Sequence, residues 1–308
     1  YPQPESLNTR SDLKTDPIPK PEDLGLRSPV MDDRSVLPFD GGEDAGKNRL
    51  QAYFWERDKL KSYKRTRNGL VGADYSSKFS PWLANGCLSP RYIYHELKKY
   101  EQERTKNDST YWLIFELIWR DYFRFSAAHF GNRIFYAGGI QDKSRDWSKD
   151  KSLFEAWKVG KTGIPFVDAN MRELNATGFM SNRGRQNVAS FLAQNLNLDW
   201  RMGAEYFEEQ LLDYDPCSNY GNWAYNATVG HDPRNRYFNI ESQAGRYDSR
   251  GVYVKTWLPE LKEVPIDYLQ QPYQMPERLR SKLGIQPELY PKPIIDLEKS
   301  YETIRERG

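Results

Sequence analysis

The sequence predicts an all-α protein, and three observations lead to that prediction. Between about residues 47 and 264, apolar residues recur at the three- and four-residue spacing of helices. Helix start and stop signals bracket single segments, as where Pro165 opens one and Gly178 follows its end. Strand-like alternation of apolar and polar residues is scarce, and the sequence contains no internal repeat.

Each predicted helix follows from this periodicity. Ser89 and Pro90 form a helix start in which the proline occupies the first turn. The segment that follows Thr110 is long and rich in aromatic residues, and the one before Gly178 is closed by that glycine. We predict helices over residues 48–63, 89–103, 110–129, 165–177, 185–196 and 202–212.

Proline content divides the chain into three parts. Prolines are frequent before residue 39 and after residue 258, and they are sparse between. We predict a linker-like N-terminal segment over residues 1–46, a helical domain over residues 47–264 and a C-terminal tail over residues 265–308 that wraps the domain.

Composition narrows the function classes. Nine Trp, 21 Tyr and 14 Phe can build a core, and such rings also stack on flavins and bases. The two cysteines, Cys87 and Cys217, lie far apart, which argues against a disulfide scaffold or thiolate zinc site and fits a reducing intracellular compartment, whether organelle, nucleus or cytoplasm. No apolar run reaches the roughly 18–20 residues of a membrane helix, so we predict no membrane span.

Basic residues crowd one short stretch of a chain whose net charge is only +2. Such a cluster can bind phosphates, or it can be a solvated helix face, and the sequence leaves both interpretations open. The stretch contains Arg57, Lys59, Lys61, Lys64, Arg65 and Arg67.

A hydroxyl-rich segment is the first candidate site. Ser76, Ser77 and Lys78 come shortly before Ser80 and Pro81, where a helix can start. Hydroxyl and backbone donors beside a lysine suit an anion, whose charge the helix dipole favours. Ser80 can equally be a simple N-cap of its own helix.

A carboxylate in apolar surroundings is the second candidate. On a helix, Glu116 and Arg120 lie four residues apart on one face, with Trp119 beside them. A carboxyl among such neighbours is poorly solvated, so it either pairs with a cation or shifts its pKa. The alternative is a structural helix with one internal Glu116–Arg120 salt bridge.

Two further polar segments complete the set. Asn182, Arg185 and Gln186 share a helix face, where fixed donors suit the edge of a polar heterocycle, although they can also serve as caps. Asp213 and Asp215 precede a proline and could form only a turn. Because no histidine lies near the two aspartates, we predict no metal site.

Taken in order, these four segments resemble the FAD-binding domain of the cryptochrome/photolyase family over residues 39–264. The resemblance implies a helical domain that holds FAD in a bent, U-shaped conformation. It assigns the phosphates and ribityl chain to residues 63 and 76–80. It places Asn182, Arg185, Asp215 and Asn219 at the flavin ring, Arg120 in the flavin pocket and Asp213 as the ionic partner of Arg185. The implied cofactor-binding residues are Tyr63, Ser76, Ser77, Lys78, Phe79, Ser80, Arg120, Asn182, Arg185, Asp213, Asp215 and Asn219.

The resemblance also implies catalytic residues. Glu116 matches a carboxylate at the mouth of the substrate cavity, and Trp119 matches an aromatic on which damaged bases pack. Gln186 and Tyr225 stand where ordinary dimer photolyases have Met and a second Trp, which points to the DASH branch and its preference for single-stranded DNA. The implied catalytic residues are Glu116, Trp119, Asn182, Gln186 and Tyr225.

Three tryptophans match the family's photoreduction chain. The resemblance places Trp223 nearest the flavin, Trp200 in the middle and Trp147 at the surface. Residue types alone would make all three core residues. The spacing that electron tunnelling requires is not visible in the sequence.

The implied activity is blue-light repair of cyclobutane pyrimidine dimers in UV-damaged DNA, preferably single-stranded, of the deoxyribodipyrimidine photo-lyase type. A flavin photosensor without repair and a structural subunit of a larger assembly are the alternatives. The family's N-terminal α/β antenna domain is expected to be absent from this sequence. A folate-type antenna chromophore is therefore expected only if that domain is supplied as a partner.

Overall fold

The structure is a computed structural model that describes residues 17, 19–27, 30–232, 234, 237–285 and 289–307. Within these ranges the chain is helical and has no strand, only an isolated bridge between Ser148 and Leu198. The all-α prediction is thereby confirmed. The α-helices are α1 Glu43–Gln51, α2 Tyr63–Thr66, α3 Ser80–Ala84, α4 Pro90–Glu103, α5 Asp108–Phe130, α6 Lys151–Lys158, α7 Pro165–Thr177, α8 Asn182–Ser190, α9 Trp200–Gln210, α10 Pro216–Asn226, α11 Ile240–Tyr247, α12 Val252–Trp257, α13 Glu277–Lys282 and α14 Leu297–Arg307.

Shorter helical turns extend or connect these helices. Helix α1 continues into a π-helix over Ala52–Glu56, and α8 continues into one over Phe191–Asn195. Single 3₁₀ turns cover Pro21–Leu24, Leu60–Ser62, Gly131–Phe135, Gly139–Gln141, Pro259–Leu261, Ile266–Tyr268 and Pro272–Gln274. None of the helices in the described ranges is both long and apolar enough to cross a bilayer.

Most predicted helices are confirmed, with small shifts at their ends. Helix α7 has the predicted bounds, whereas the predicted helix over residues 48–63 breaks after the π-helix, where Asp58 adopts a positive φ of 52°. Residues 213–215 do not form only a turn, because a helix follows them directly. Asp215 is the N-cap of α10 and accepts from the Ser218 backbone N–H at 2.8 Å, because an acidic cap followed by proline starts a helix.

Two hydrophobic clusters form the core. The larger one contains residues of α6 to α12 and α14, including the fully buried Trp157 and Trp200. The smaller one contains residues of α1 to α5 and of the π-helix after α1, which contributes Tyr53 and Phe54. The candidate site lies between these clusters, since its walls come from both.

Parts of the segments before and after the predicted domain pack onto it, whereas residues 17, 19–27 and 30–31 are exposed. Phe39 contacts Phe179 with ring centroids 4.9 Å apart, while residues 1–16 of the predicted linker-like segment lie outside the described residues. In the predicted tail, Tyr290 donates to Asp168 Oδ2 at 2.7 Å, and Tyr301 is buried. The domain boundaries at 46 and 264 stay predictions.

Candidate cofactor site

A cavity of about 310 Å³ lies between the two core clusters. Its volume is at the lower end of the roughly 300–1,000 Å³ of ligand pockets in proteins. The hydroxyl-rich segment, α5, α8 and α10 all contribute to its walls. The structure brings together here all the predicted cofactor-binding residues: Tyr63, Ser76, Ser77, Lys78, Phe79, Ser80, Arg120, Asn182, Arg185, Asp213, Asp215 and Asn219.

Arg49 on α1 fixes the path of the hydroxyl-rich segment. Its guanidinium donates to the carbonyl oxygens of Ser77 at 3.0 Å and Ser76 at 3.1 Å, and it pairs with Asp74 at 3.0 Å. Because one buried arginine holds both carbonyls, the segment keeps a defined shape beside the cavity. No local pattern indicates this role of Arg49, because it lies 25 or more residues away along the chain.

Lys78 is a buried amine without a hydrogen-bond partner among the described residues. Its side chain lines the cavity, its residue is 3 % exposed, and Nζ lies 3.0 Å from the centroid of the Tyr75 ring. Burial, reinforced by the charge of Arg49, lowers the pKa of Lys78 to about 6. An orphaned donor of this kind fits an anionic group in the cavity, such as the diphosphate of a dinucleotide cofactor.

Arg185 is held in place at the cavity wall by Asp213. The pair is bidentate, with Nη1–Oδ1 at 3.0 Å and Nη2–Oδ2 at 2.9 Å, and Arg185 Nε also donates to the Met180 carbonyl at 2.9 Å. A guanidinium with three fixed hydrogen bonds has little freedom to turn away. It therefore presents a fixed positive charge to whatever occupies the cavity.

Asn219 and Asp215 lie at the start of α10. Asn219 Nδ2 donates to the Ala204 carbonyl at 2.9 Å, which fixes the orientation of the amide, and Asn219 lines the cavity. Asp215 accepts from the Ser218 N–H and from Arg124, at 2.8 and 3.1 Å. Although burial raises the pKa of Asp215, these hydrogen bonds outweigh it and hold the pKa below its ordinary value.

Glu116 pairs with Arg67 and not with Arg120. Arg67 Nη2 lies 2.7 Å from Glu116 Oε1, and Trp112 Nε1 donates to the same oxygen at 3.0 Å. Arg120 instead donates to the Leu83 carbonyl at 3.2 Å, so the internal salt bridge considered from sequence is wrong. Packing of α2 on α5 brings Arg67 to the carboxylate.

The carboxyl of Glu116 is ion-paired and also has a shifted pKa. Burial raises its pKa, and Arg67 and Trp112 only partly offset that effect. Arg67 also lines the cavity, and the sequence prediction omitted it from the site. The sequence does contain an indication of this role, because Arg67 ends the basic stretch and lies four residues after the predicted site residue Tyr63, on the same helix face.

Most of the basic stretch is neutralised by carboxylates. Arg57 pairs with Asp74, Lys64 pairs with Asp108, and Lys61 pairs with Asp58. The cations of this stretch are therefore largely engaged within the chain, which favours the solvated-surface interpretation over a free phosphate-binding footprint.

Two of the predicted catalytic residues are not among those that line the cavity. Trp119 packs against Phe123 and Tyr122 on its own helix, with ring centroids 5.7 and 5.2 Å apart. Tyr225 donates to Asp232 Oδ2 at 2.9 Å. Glu116, Asn182 and Gln186 do line the cavity, and within the part of the chain that the structure describes the buried Gln186 Oε1 has no hydrogen-bond partner.

The three tryptophans of the predicted photoreduction chain differ in their surroundings. Trp223 lines it, and its ring lies against Gly203 so closely that a Cβ there would clash. Trp200 lies three residues before Gly203 on α9 and is fully buried. Trp200 and Trp147 both donate to the Ala137 carbonyl, at 3.0 and 3.3 Å.

Several cavity residues were missed from the sequence. Phe179 and Met180 precede α8, and Ser218, Asn222 and Asn226 follow one face of α10. The last three are spaced four apart, which is the spacing of one helix face and is the signal that could have found them. In the described ranges, no group of three or more His, Cys, Asp or Glu side chains could hold a metal ion.

A helical domain with this cavity matches a known family model. Residues 112–308 match the FAD binding domain of DNA photolyase. The cavity provides an orphaned lysine for phosphates and a fixed guanidinium with amides for a ring, which fits FAD. Fold and site together define a photolyase-type FAD-binding domain.

Individual relatives indicate the branch of the family more narrowly than the family model does. It is 55 % identical over 302 residues to a cryptochrome DASH of Natronomonas pharaonis, covering 98 % of this chain and 64 % of the relative. It is 60 % identical over 277 residues to a cryptochrome DASH of Synechocystis, covering 89 % and 57 %. The crystal structure of a Synechocystis cryptochrome superposes with a TM-score of 0.91 at 56 % identity, covering 96 % of this chain and 62 % of that one.

The chain belongs to the cryptochrome/photolyase family, in its DASH branch. It spans less than two thirds of the length of these relatives, from 57 % to 64 %.

Proposed function

We propose that the chain binds FAD in the central cavity and uses blue light to repair cyclobutane pyrimidine dimers, preferably in single-stranded DNA. One observation carries the proposal. The orphaned Lys78 and the fixed Arg185 line the same cavity as Glu116, so cofactor-binding and substrate-facing groups share one space.

The described residues have distinct tasks in this proposal. Lys78, with the hydroxyls of Ser77 and Ser80, holds the diphosphate. Arg185 keeps a positive charge beside the ring, which favours an anionic reduced flavin, and Asn219 offers a neutral Oδ1 near it. The flavin supplies light absorption and one-electron chemistry, while the chain supplies binding, orientation and electrostatics.

Glu116 is the proposed contact to the damaged base. Its carboxyl lines the cavity, and burial raises its pKa, which favours the protonated form. A protonated carboxyl donates a hydrogen bond to a thymine carbonyl and stabilises the charge that develops there after electron injection. Arg67, which pairs with Glu116, adds a positive charge at the same place.

The proposed preference for single strands rests on two polar side chains, of which Gln186 lines the cavity and Tyr225 is not among the residues that line it. Gln186 presents a buried Oε1 without a partner, and Tyr225 uses its hydroxyl on Asp232. A weak aromatic clamp offsets less of the unstacking cost of a base in a duplex, whereas a single strand requires little unstacking. A dimer in a single strand is therefore the favoured substrate.

A flavin photosensor without repair is the second candidate. Trp119 and Tyr225, the two proposed aromatic contacts to the lesion, are not among the residues that line the cavity. A photosensor needs the cofactor and the tryptophans but no lesion clamp. A folate-type antenna chromophore, an α/β antenna domain or a larger assembly would enter either function as added partners.

The test combines a spectrum with a repair assay. The chain is reconstituted with FAD, and its absorption is recorded before and after blue light with a reductant. A single-stranded oligonucleotide with one thymine dimer is then illuminated beside the same lesion in duplex, with dark samples as controls. Bound FAD that photoreduces and faster repair of the single strand support the proposal.

A matched variant separates the candidate functions. Glu116→Gln keeps size and hydrogen-bonding capacity at the cavity but removes the titrating carboxyl, so repair should fall while bound FAD stays constant. A yellow, photoreducible wild-type chain without repair would favour the photosensor. A chain that binds no FAD would contradict both.

A further inference from the structure

Tyr220 on α10 lies in ring contact with Trp200. The ring centroids are 6.1 Å apart in a T-shaped arrangement, and the tyrosine is 7 % exposed. Its hydroxyl donates to Glu208 Oε2 at 3.3 Å. The predicted electron chain thus has a phenol with a carboxylate beside its middle tryptophan.

We propose that Tyr220 is the terminal electron donor of this chain, and that Glu208 accepts its proton. The proposal rests on the proposed function, because light-driven oxidation of Trp223 starts the sequence. It gives a role to Tyr220 and Glu208, which lie outside the cavity. It also assigns the final oxidised site to Tyr220 and not to Trp147.

The phenol–carboxylate pair meets the requirement of tyrosine oxidation. An oxidised phenol is a strong acid, so electron loss at Tyr220 is favourable only if a base takes the proton. Glu208 is that base, and its exposed side chain can pass the proton to water. Burial and the charge of Glu208 raise the pKa of Tyr220 to about 12, so the phenol holds its proton until it is oxidised.

Trp147 has the opposite electrostatic surroundings. The Arg145 guanidinium lies 4.0 Å from the centroid of its ring. Within the described residues Arg145 hydrogen-bonds only neutral acceptors, on Asn197, Gln194 and Ala193, so no carboxylate cancels its charge. A nearby cation disfavours a cation radical on Trp147, since like charges repel in a partly buried site.

The electrons and protons balance along the proposed route. Bound FAD would supply the photoexcited one-electron acceptor for Trp223, and Trp200 gives one electron to the oxidised Trp223. Tyr220 then gives one electron to Trp200 and its hydroxyl proton to the Glu208 carboxylate. Within the chain the products are a neutral tyrosyl radical and a protonated Glu208, and the electron that left Trp223 would reside on the cofactor.

The first test identifies the radical in the FAD-loaded chain. After a blue laser flash, transient absorption and electron paramagnetic resonance should show a tyrosyl radical in the wild type. Tyr220→Phe should lose this signal and leave a short-lived tryptophanyl radical, and Glu208→Gln should slow tyrosyl formation. Trp147→Phe should keep the tyrosyl radical.

Tyr214→Phe is the matched control. Tyr214 also interacts with Glu208, but in the described part of the chain it makes no ring contact with Trp200. Its loss should leave the radical unchanged. A long-lived radical that persists in Tyr220→Phe and disappears in Trp147→Phe would overturn the proposal.

A second test needs no flavin. An ultraviolet flash ionises tryptophans in the FAD-free chain, and part of the tryptophanyl radical signal should be replaced by a tyrosyl signal. Tyr220→Phe should lower the yield of tyrosyl radical. An unchanged yield counts against the proposal. A wild-type chain that does not photoreduce but shows this transfer contradicts the proposed function and leaves the Tyr220 route standing. Photoreduction with an unaltered radical in Tyr220→Phe contradicts the Tyr220 route alone.

Discussion

Arg67 and Glu116 form an ion pair of 2.7 Å at the wall of the cavity. The pair joins the end of α2 to the middle of α5, across 49 positions of sequence. Both side chains are partly shielded from solvent, at 17 % and 28 % exposure. Burial therefore pushes the pKa of Glu116 upward, while the guanidinium pushes it downward.

Arg67→Met should raise the pKa of Glu116 further, because it removes the cation that opposes the effect of burial. If the protonated carboxyl serves repair, the pH at which repair falls off should move upward. The measurement is repair yield against pH at saturating oligonucleotide. Arg57→Met, which removes a more exposed cation paired with Asp74, is the control and should leave the midpoint in place. A midpoint that moves downward contradicts the assignment.

Lys78→Met should weaken FAD binding and change its pH dependence. The pKa of Lys78 is about 6 in the FAD-free chain, so the amine is mostly neutral at pH 8. A bound diphosphate favours the ammonium form, so binding takes up a proton and affinity falls as pH rises above about 6, by up to about tenfold per pH unit. Titration calorimetry in two buffers of different ionisation enthalpy measures this uptake.

Lys78→Met should remove the proton uptake that accompanies FAD binding at pH 8. Glu173 contributes little to that uptake, because its pKa is about 7 and it is mostly ionised at pH 8. Arg49, Asp74 and Glu173 are the charged groups that act on Lys78, and all stay in place. Lys59→Met, on the exposed surface, is the control. Equal proton uptake in both variants contradicts the role of Lys78.

The same lysine should affect the stability of the FAD-free chain. The folded pKa lies below the unfolded value of about 10.5, so between about pH 6 and 10.5 the unfolded chain binds more protons. The free energy of unfolding should therefore rise with pH in that window, by at most about 1.4 kcal/mol per unit. Denaturant unfolding at several pH values should show this rise in the wild type and a smaller one in Lys78→Met.

Local patterns were sufficient for most of the helices, whereas the shared cavity was expected only from the resemblance to the family. The spacing of Asn182, Arg185 and Gln186 puts them on one face of α8 whatever surrounds it. That the four polar segments meet at one cavity depends on how their helices pack, which spacing alone does not give.

Long-range partners could not be predicted in the same way. Arg67 reaches Glu116, and Arg49 reaches the hydroxyl-rich segment, only after α1, α2 and α5 have packed. An i,i+4 rule proposes Arg120 for Glu116 because it considers only one helix. The tertiary partner is closer and takes its place.

Trp223→Phe should remove most of the photoreduction rate while leaving FAD bound. Trp223 lines the cavity, and its ring packs on Phe207 at 5.1 Å, so a phenylalanine keeps the packing but is far harder to oxidise. The measurement is flavin bleaching under blue light with a reductant, normalised to bound FAD. Trp157→Phe is the control, because Trp157 touches Trp223 at 6.1 Å but does not line the cavity. An unchanged rate in Trp223→Phe rules out the electron chain.

Tyr290→Phe should destabilise the chain by about 1.5–3 kcal/mol, the usual value of a hydrogen bond to a charged group. The Tyr290 hydroxyl donates to Asp168 Oδ2 at 2.7 Å, and the carboxylate also accepts from the Thr162 and Gly163 backbone at 2.8 and 3.0 Å. Asp168 is fully buried on α7, so losing one donor leaves a carboxylate oxygen undersatisfied where water cannot replace it.

The measurement is urea unfolding of the FAD-free chain, read as a lower midpoint at an unchanged slope. Tyr273→Phe, 38 % exposed, is the control and should shift the midpoint little. Because Tyr290 lies in the predicted C-terminal tail and α7 lies in the predicted domain, a single cooperative transition at a lower midpoint means that the two unfold together. A separate early transition, with the main one unmoved, means that the tail opens alone and that the hydrogen bond does not stabilise the domain.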